Sequence, residues 1–277
     1  MPDATLDGGV DPRKITHLWH KTFGDTWADF GHGVVVDSKG NVTLTGHFQR
    51  TVDPGGGSVT AMGGYDVIVT SFTAAGVHRW QRALGGALTD RGYGVAVDAA
   101  DNVYITGTFT GTADFGGGDV IAVGDQDMFV TSFSSLGVHR WQQAFGGDGP
   151  DYSQSVVVDG DGNVILTGHF EGKANLGGGN VTSKGDYDVF ITSFSAAGDH
   201  RWYKTFGGTG PDHGEVVRVD ASGNITVLGE FSETINLGGG DVTSQGSLDV
   251  FVTSFSSAGV HRWQKAFHGA SYDSTGG

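Results

Sequence analysis

The sequence predicts an all-β fold made of repeated four-stranded antiparallel units, and three observations carry that prediction. Trp19, Trp80, Trp141, Trp202 and Trp263 stand 61 residues apart, and the columns Asp37/Asp98/Asp159/Asp220 and Phe48/Phe109/Phe170/Phe231 keep the same step. Self-similarity at a fixed period marks a repeat architecture. Within each period the apolar residues alternate with period two, with no helical spacing. Glycine is 50 of 277 residues and proline only 5, with aromatic residues spread throughout. That composition fits neither collagen nor a disordered chain, so the glycines read as turn residues.

One unit shows the elements in order. Strand A is "YGVAVD" (Tyr93–Asp98), and a turn at "DN" leads to strand B, "VYITGTF" (Val103–Phe109). Strand C, "DMFVTSF" (Asp127–Phe133), is followed by the turn "SSLG" and strand D, "VHRWQQAF" (Val138–Phe145). β-Branched and aromatic runs between turn clusters are strand signals. A single such sheet cannot cover both of its faces, whereas neighbours packed around an axis can, so the unit reads as a β-propeller blade.

Strand D carries the recurring "HRW". Trp19, Trp80, Trp141, Trp202 and Trp263, with His78, His139, His200 and His261, are expected to be structural, filling the interface between blades. A ligand stacked on the tryptophans is the other use for that column. Alternation places His139 and Trp141 on one face and Arg140 on the other, where it could reach Asp127; Asp66, Asp188 and Asp249 are the equivalent acids. In the A–B turn, Gly40, Gly162 and Gly223 are expected at positive φ, with Asp101 as the tolerated substitute. Asp159, Asp161 and Asn163 imitate the start of an EF-hand loop. Val164 and Phe170 stand where that loop needs Gly and Glu, so the segment reads as a hairpin turn.

Strands A, B and C occur four times and strand D five times. The expected organisation is a flexible leader at 1–14 and a single propeller at 15–277. Within the propeller, 15–33 is a surplus outer strand and loop, and the repeats are 34–94, 95–155, 156–216 and 217–277. Four blades in one closed ring are expected, completed by either the first or the last D strand. An arc of a larger ring, or an oligomer formed through the surplus strand, is the alternative, because an open end leaves an exposed edge.

Net charge is −15, which argues against a protein that tracks phosphates, so no nucleic-acid partner is expected. No cysteine is present, which removes disulfide and thiolate–zinc frameworks. No apolar run is long enough to span a membrane as a helix. The opening "MPDATLDGGVDPRK" lacks the apolar core of a signal peptide.

The pattern "DVFVTSFSSAG…FGG…VAVD..GN.Y.TG.F" resembles the bacterial SBBP (β-propeller repeat) family, which is related to NHL-type propellers. The resemblance covers nearly everything after Ile15. It implies a propeller of a secreted or cell-surface bacterial protein, with no activity shared across the family. Two features depart from it: the family is associated with seven blades, and many relatives lack this Trp and Gly-triplet pattern.

Long loops on a rigid sheet scaffold are where binding residues collect. The B–C and D–A connections are the long ones and share one end of the blade. Each D–A loop keeps one acid, Asp29, Asp90, Asp151 or Asp212, followed by a variable residue, Phe30, Arg91, Tyr152 or His213. The ligand-binding candidates are Trp27, Asp29, His32, Asp90, Tyr93, Asp151, Tyr152, Asp212 and His213. The expected function is a non-catalytic module that binds a glycan or a protein, with a multivalent, lectin-like mode as one form. The acid column as a brace in a purely structural or display scaffold is the alternative. No cofactor is expected, and calcium in the Asp29/Asp90/Asp151/Asp212 column is the one ion considered. A hydrolase would need an asymmetric constellation. Asp212–His213 with Glu215, and Trp27 with His32, are the uneven groups, and no nucleophile or metalloprotease motif accompanies them.

Overall fold

The structure is a computed structural model that describes residues 17–269; the expected leader lies outside those residues. It contains four antiparallel sheets in the strand order A–B–C–D. Sheet I is Phe30–Val36, Val42–Phe48, Asp66–Phe72 and His78–Gly86. Sheet II is Arg91–Val97, Val103–Phe109, Asp127–Phe133 and His139–Gly147. Sheet III is Asp151–Val158, Val164–Asn175, Asn180–Phe194 and His200–Phe206. Sheet IV is Asp212–Val219, Ile225–Phe231, Asp249–Phe255 and His261–Phe267. The B–C register is the same in each: Val42↔Phe72, Val103↔Phe133, Val164↔Phe194 and Ile225↔Phe255.

The A–B turns form as their residues require. Gly40, Gly162 and Gly223 have φ of 78°, 81° and 77°, and Asp101 adopts 63°. In the EF-like segment the Asp159 carboxylate accepts the amides of Asp161 and Asn163 and the Asn163 side-chain amide. It therefore closes a hairpin turn.

The long B–C connections are folded rather than irregular. In sheets I, II and IV each carries a small hairpin, such as Thr112–Asp114 with Asp119–Ile121, and in sheet III strands B and C extend to make the same pairing. Two of these hairpins continue the ladder of the preceding strand D, through Gly85↔Asp114 and Gly146↔Asn175. Neighbouring sheets are thus joined by backbone hydrogen bonds as well as by packing. The Gly triplet at the hairpin tip lies against the strand-D histidine: a Cβ on Gly56 would sit 2.2 Å from the His78 ring. That ring packs edge-on against Phe72 at 5.9 Å, and Phe133–His139 and Phe194–His200 repeat the contact. The His side chains pack within their own sheet rather than against the next one.

The tryptophans bridge sheets. Trp80 Nε1 donates to Ser135 O at 3.1 Å and Trp141 Nε1 to Ala196 O at 3.0 Å, each carbonyl lying in the C–D turn of the following sheet. Below them, Val67, Val69 and Leu84 of sheet I interleave with Ile105, Phe109 and Phe129 of sheet II. Burial of each such side chain contributes about 1.5–3 kcal/mol.

Two expectations are corrected. Arg140 does not face away from Trp141 toward Asp127. A β-bulge skips Arg140, so that His139 opposes Phe133 while Trp141 opposes Ser132. In sheet I, Arg79 Nη2 and Trp80 Nε1 consequently reach the same carbonyl, Ser135 O. The recurring Arg partner is the strand-C serine: Ser71, Ser132, Ser193 and Ser254. Asp66 and Asp127 sit at the far end of strand C and hold the B–C loop through Met62 N and Val123 N.

The four sheets also leave both end faces open instead of closing one ring. Val34 of sheet I is 69% exposed, whereas its equivalent in sheet IV, Val217, is fully buried. Phe267 and Trp263 of sheet IV are 55% and 43% exposed, against 6% for Phe206 and 7% for Trp80. Of the surplus segment 15–33, residues 30–33 belong to the first strand of sheet I, and residues 17–29 have no ladder partner. They dock on sheet I as strand D of a preceding sheet would, with Trp19 Nε1 donating to Ala74 O at 2.9 Å and its indole 5.9 Å from Phe72.

Candidate functional site

The A strands of the four sheets lie side by side and line one cleft of about 350 Å³. Each contributes one residue of a single 61-step column: His32, Tyr93, Gln154 and Glu215. The register skips that residue in every sheet, between Gly31 and Gly33, Gly92 and Gly94, Ser153 and Ser155, and Gly214 and Val216. A bulge re-aims its extra side chain and is over-represented next to functional sites. Small flanking residues at most of these places let the backbone make the skip. The result is a fixed platform that presents four different side chains from equivalent positions.

Two aromatic–histidine clusters flank this column. In the first, His47 lies 4.8 Å from His32, 4.9 Å from Phe30 and 4.9 Å from Tyr65, and His32 meets Tyr93 edge-on at 5.2 Å. The Arg91 guanidinium lies over Tyr65 at 5.5 Å. In the second, His169 is 4.5 Å from His213, 4.9 Å from Tyr152 and 5.1 Å from Tyr187. Between them the same columns hold amide and hydroxyl groups, Gln126 Nε2 donating to Thr108 Oγ1.

Burial sets the electrostatics. It is the leading cause that lowers His47 to about 4, followed by His32 and Arg91, and that lowers His169 to about 3, followed by His213. Burial also lowers His32 and His213, and it raises Glu215, with Glu230 adding to the rise. The four imidazoles are therefore neutral near pH 7, each with one donor and one acceptor nitrogen. Together with Tyr and Gln they make a surface of rings and uncharged hydrogen-bonding groups, with the Glu215 carboxyl at one end of the column.

The acid column lies elsewhere. Asp90, Asp151 and Asp212 are fully buried, and each carboxylate serves its own loop. Asp151 Oδ2 accepts Gly147 N at 2.7 Å and Oδ1 accepts Glu171 N at 3.3 Å. Asp90 and Asp212 repeat both bonds, and Asp29 accepts Asp25 N and Gln49 N. Among the described residues no group of three His, Asp or Glu side chains has metal-binding geometry. Asp212 and His213 are strand neighbours that point apart, one into its loop and the other onto His169, so they do not form a dyad. Trp27 does not line the cleft; it is half exposed, with the Arg50 guanidinium 4.3 Å from its ring.

Of the sequence candidates, the structure therefore brings His32 with Tyr93 and Tyr152 with His213, and it separates Trp27 and the four aspartates from them. His47, Tyr65, Gln154, His169 and Tyr187 were not singled out from the sequence. The signal was available: positions 47, 108, 169 and 230 read His, Thr, His and Glu inside a frame that otherwise repeats.

No family model matches the chain. It is 21% identical over 243 residues to an uncharacterised WD repeat-containing protein of Acanthamoeba polyphaga mimivirus, an overlap of 70% of this chain and 17% of that protein. The chain thus spans under a fifth of that relative's length. A solved structure of a protein of unknown function from Bacteroides caccae covers 86% of this chain and 82% of its own at 8% identity, with a TM-score of 0.40.

Proposed function

We propose that the chain is an arc of β-propeller blades acting as a non-catalytic binding module, with the bulged A-strand column as its contact surface. The observation that carries this is the contrast between frame and column. Trp, Phe, Asp and Gly positions recur from sheet to sheet, while the re-aimed residue changes from His32 to Tyr93, Gln154 and Glu215. Similarity to a WD repeat-containing protein supports the propeller reading, because WD repeats are four-stranded propeller blades. A row of stacked rings with neutral donors and acceptors suits a polar, uncharged ligand with many hydroxyl or amide groups, such as a glycan or an extended peptide. A lectin-like mode is the form favoured here.

The test is a glycan array run beside a peptide-display screen. The comparison is between the native chain and a variant carrying His32→Ala, Tyr93→Ala, Tyr152→Ala and His213→Ala. Binding lost in that variant and kept in Trp27→Ala supports the reading; binding unchanged in the fourfold variant, or none on either platform, overturns it. The scaffold reading draws its support from the acid column, whose members are fully used as loop braces.

A further inference from the structure

We propose that a second copy of this chain seats its sheet IV on the open face of sheet I, with its Trp263 taking the place that Trp19 occupies in the single chain. The three internal junctions define what such a face receives. At each, two strand-C residues and one strand-D residue of one sheet fill the next: Val67, Val69 and Leu84; then Met128, Val130 and Phe145; then Val189, Ile191 and Phe206. The receiving columns are Ile105/Phe109/Ala113/Phe129 and their equivalents. Sheet I carries that same column as Leu44, Phe48, Val52 and Ile68, and there it lines an open groove of about 450 Å³. Sheet IV carries the donor columns as Val250, Val252 and Phe267. The two valines are half-buried and Phe267 is exposed, whereas their counterparts at the internal junctions are buried. The knobs missing from one end are present and unused at the other.

Two D strands compete for one slot. The N-terminal segment supplies Phe23 to the groove and Trp19 to Ala74 O, but residues 17–29 have no ladder partner. The C-terminal strand is paired with strand C from Val250↔Phe267 to Phe255↔His261 and is tied to it by the Ser256–Val260 turn. Removing Trp19 breaks a single side-chain hydrogen bond, whereas removing Trp263 together with its strand would break a whole ladder. The N-terminal segment is therefore a placeholder that yields to the incoming sheet. The contact is head-to-tail, and such contacts close when the rotation allows. Two copies supply eight sheets, within the range of known propellers.

Sedimentation of the 277-residue chain at near-physiological salt, which screens the like net charge of the two copies, is expected to give twice the 28.8 kDa chain mass. Val34→Asp and Phe267→Asp should each remain at the single mass, with unchanged circular dichroism because Val34 is 69% and Phe267 55% exposed in the single chain. Mixing the two should restore a dimer, since one good junction remains, which a face-to-face contact of like ends would not allow. Trp19→Ala should lower the dissociation constant, by roughly the tenfold that loss of one competing contact allows. A native chain that stays at the single mass at micromolar concentration overturns the proposal, including the case where sheet IV meets sheet I of its own chain. So does dimer formation by Phe267→Asp alone, a mixture that does not associate, or weaker association of Trp19→Ala.

Discussion

Replacing Asp151 separates a buried neutral acid from a buried charge. Asp127 and Asp151 both flank Gly146 at the junction of sheets II and III. Burial, and then the Asp127 carboxylate, push Asp151 up to about 8. Burial raises Asp127 as well, and its Oδ1 is buried without a hydrogen-bond partner. The pair holds a proton near pH 7. An unfolded aspartate titrates near pH 4, so from about pH 4 to 8 the folded chain binds a proton that the unfolded chain has released. This contribution is full below about pH 4 and is lost as pH rises through about 8, with a slope of up to about 1.4 kcal/mol per pH unit. Buried His47 and His169 carry the opposite sign: their contribution is full above about pH 6.5 and is lost toward their lowered values. Burial also raises Asp90 and Asp212 to about 7 with the same sign, so the Asp151 proton is read as the difference between the native chain and the Asn variant between about pH 6.5 and 8.

Asp151→Asn cannot ionise and keeps one oxygen as acceptor for Gly147 N, giving up only the longer bond from Glu171 N. Asp151→Ala strips the acceptor from Gly147 N, at 2.7 Å, and from Glu171 N, at 3.3 Å. A buried amide left unpaired costs about 1–3 kcal/mol, and with the second bond already long the sum is about 3 kcal/mol. In a chain of this size that lowers Tm by roughly 6 °C. Thermal melts across the pH window are the assay. The native Tm should fall from pH 6.5 to 8, the Asn variant should fall less and equal or exceed the native chain at pH 8, and the Ala variant should lie below both throughout. If the Asn variant is as unstable as Ala at pH 8 while the native Tm rises with pH, the carboxylate is ionised in the fold and the shared-proton account is wrong.

Further outcomes follow from the same contacts. Phe206→Ala, at an internal junction, should cost about 3–5 kcal/mol in denaturant unfolding, whereas Phe267→Ala on the open face should change the stability of the dilute single chain by under about 1 kcal/mol. Gly56→Ala should destabilise through a clash with His78, and pairing it with His78→Ala should recover part of the loss, measured as a double-mutant cycle. Adding calcium or a chelator should leave Tm unmoved, because the amides already occupy the Asp90, Asp151 and Asp212 carboxylates; a rise with calcium would reopen that column as an ion site.

Much of the fold was legible because the repeat allows each strand to be read four times. Alternation, the turn at Asp101 and the interfacial tryptophans all follow from local residue chemistry. The facing of Arg140 did not, because a bulge shifts alternation by one and leaves no mark in a run such as "VHRWQQAF". Closure was hidden for another reason: it depends on how far successive sheets rotate, a cumulative property that no single residue encodes. The site shows the sharper lesson. Recurrence drew attention to Asp29, Asp90, Asp151 and Asp212, yet a residue repeated in every unit is one that every unit needs, and each unit needs its D–A loop tied to its B–C loop. A contact surface built on a duplicated frame has to break the repeat, because equivalent positions with identical side chains can only offer the same contact several times. The departures at His32/Tyr93/Gln154/Glu215 fall where bulges re-aim side chains into one cleft, and in the column His47/Thr108/His169/Glu230 the two histidines pack against His32 and His213. In a chain copied this evenly, the columns that drift on a rigid support are therefore the first place to look for recognition, and the constant ones the first place to look for stability.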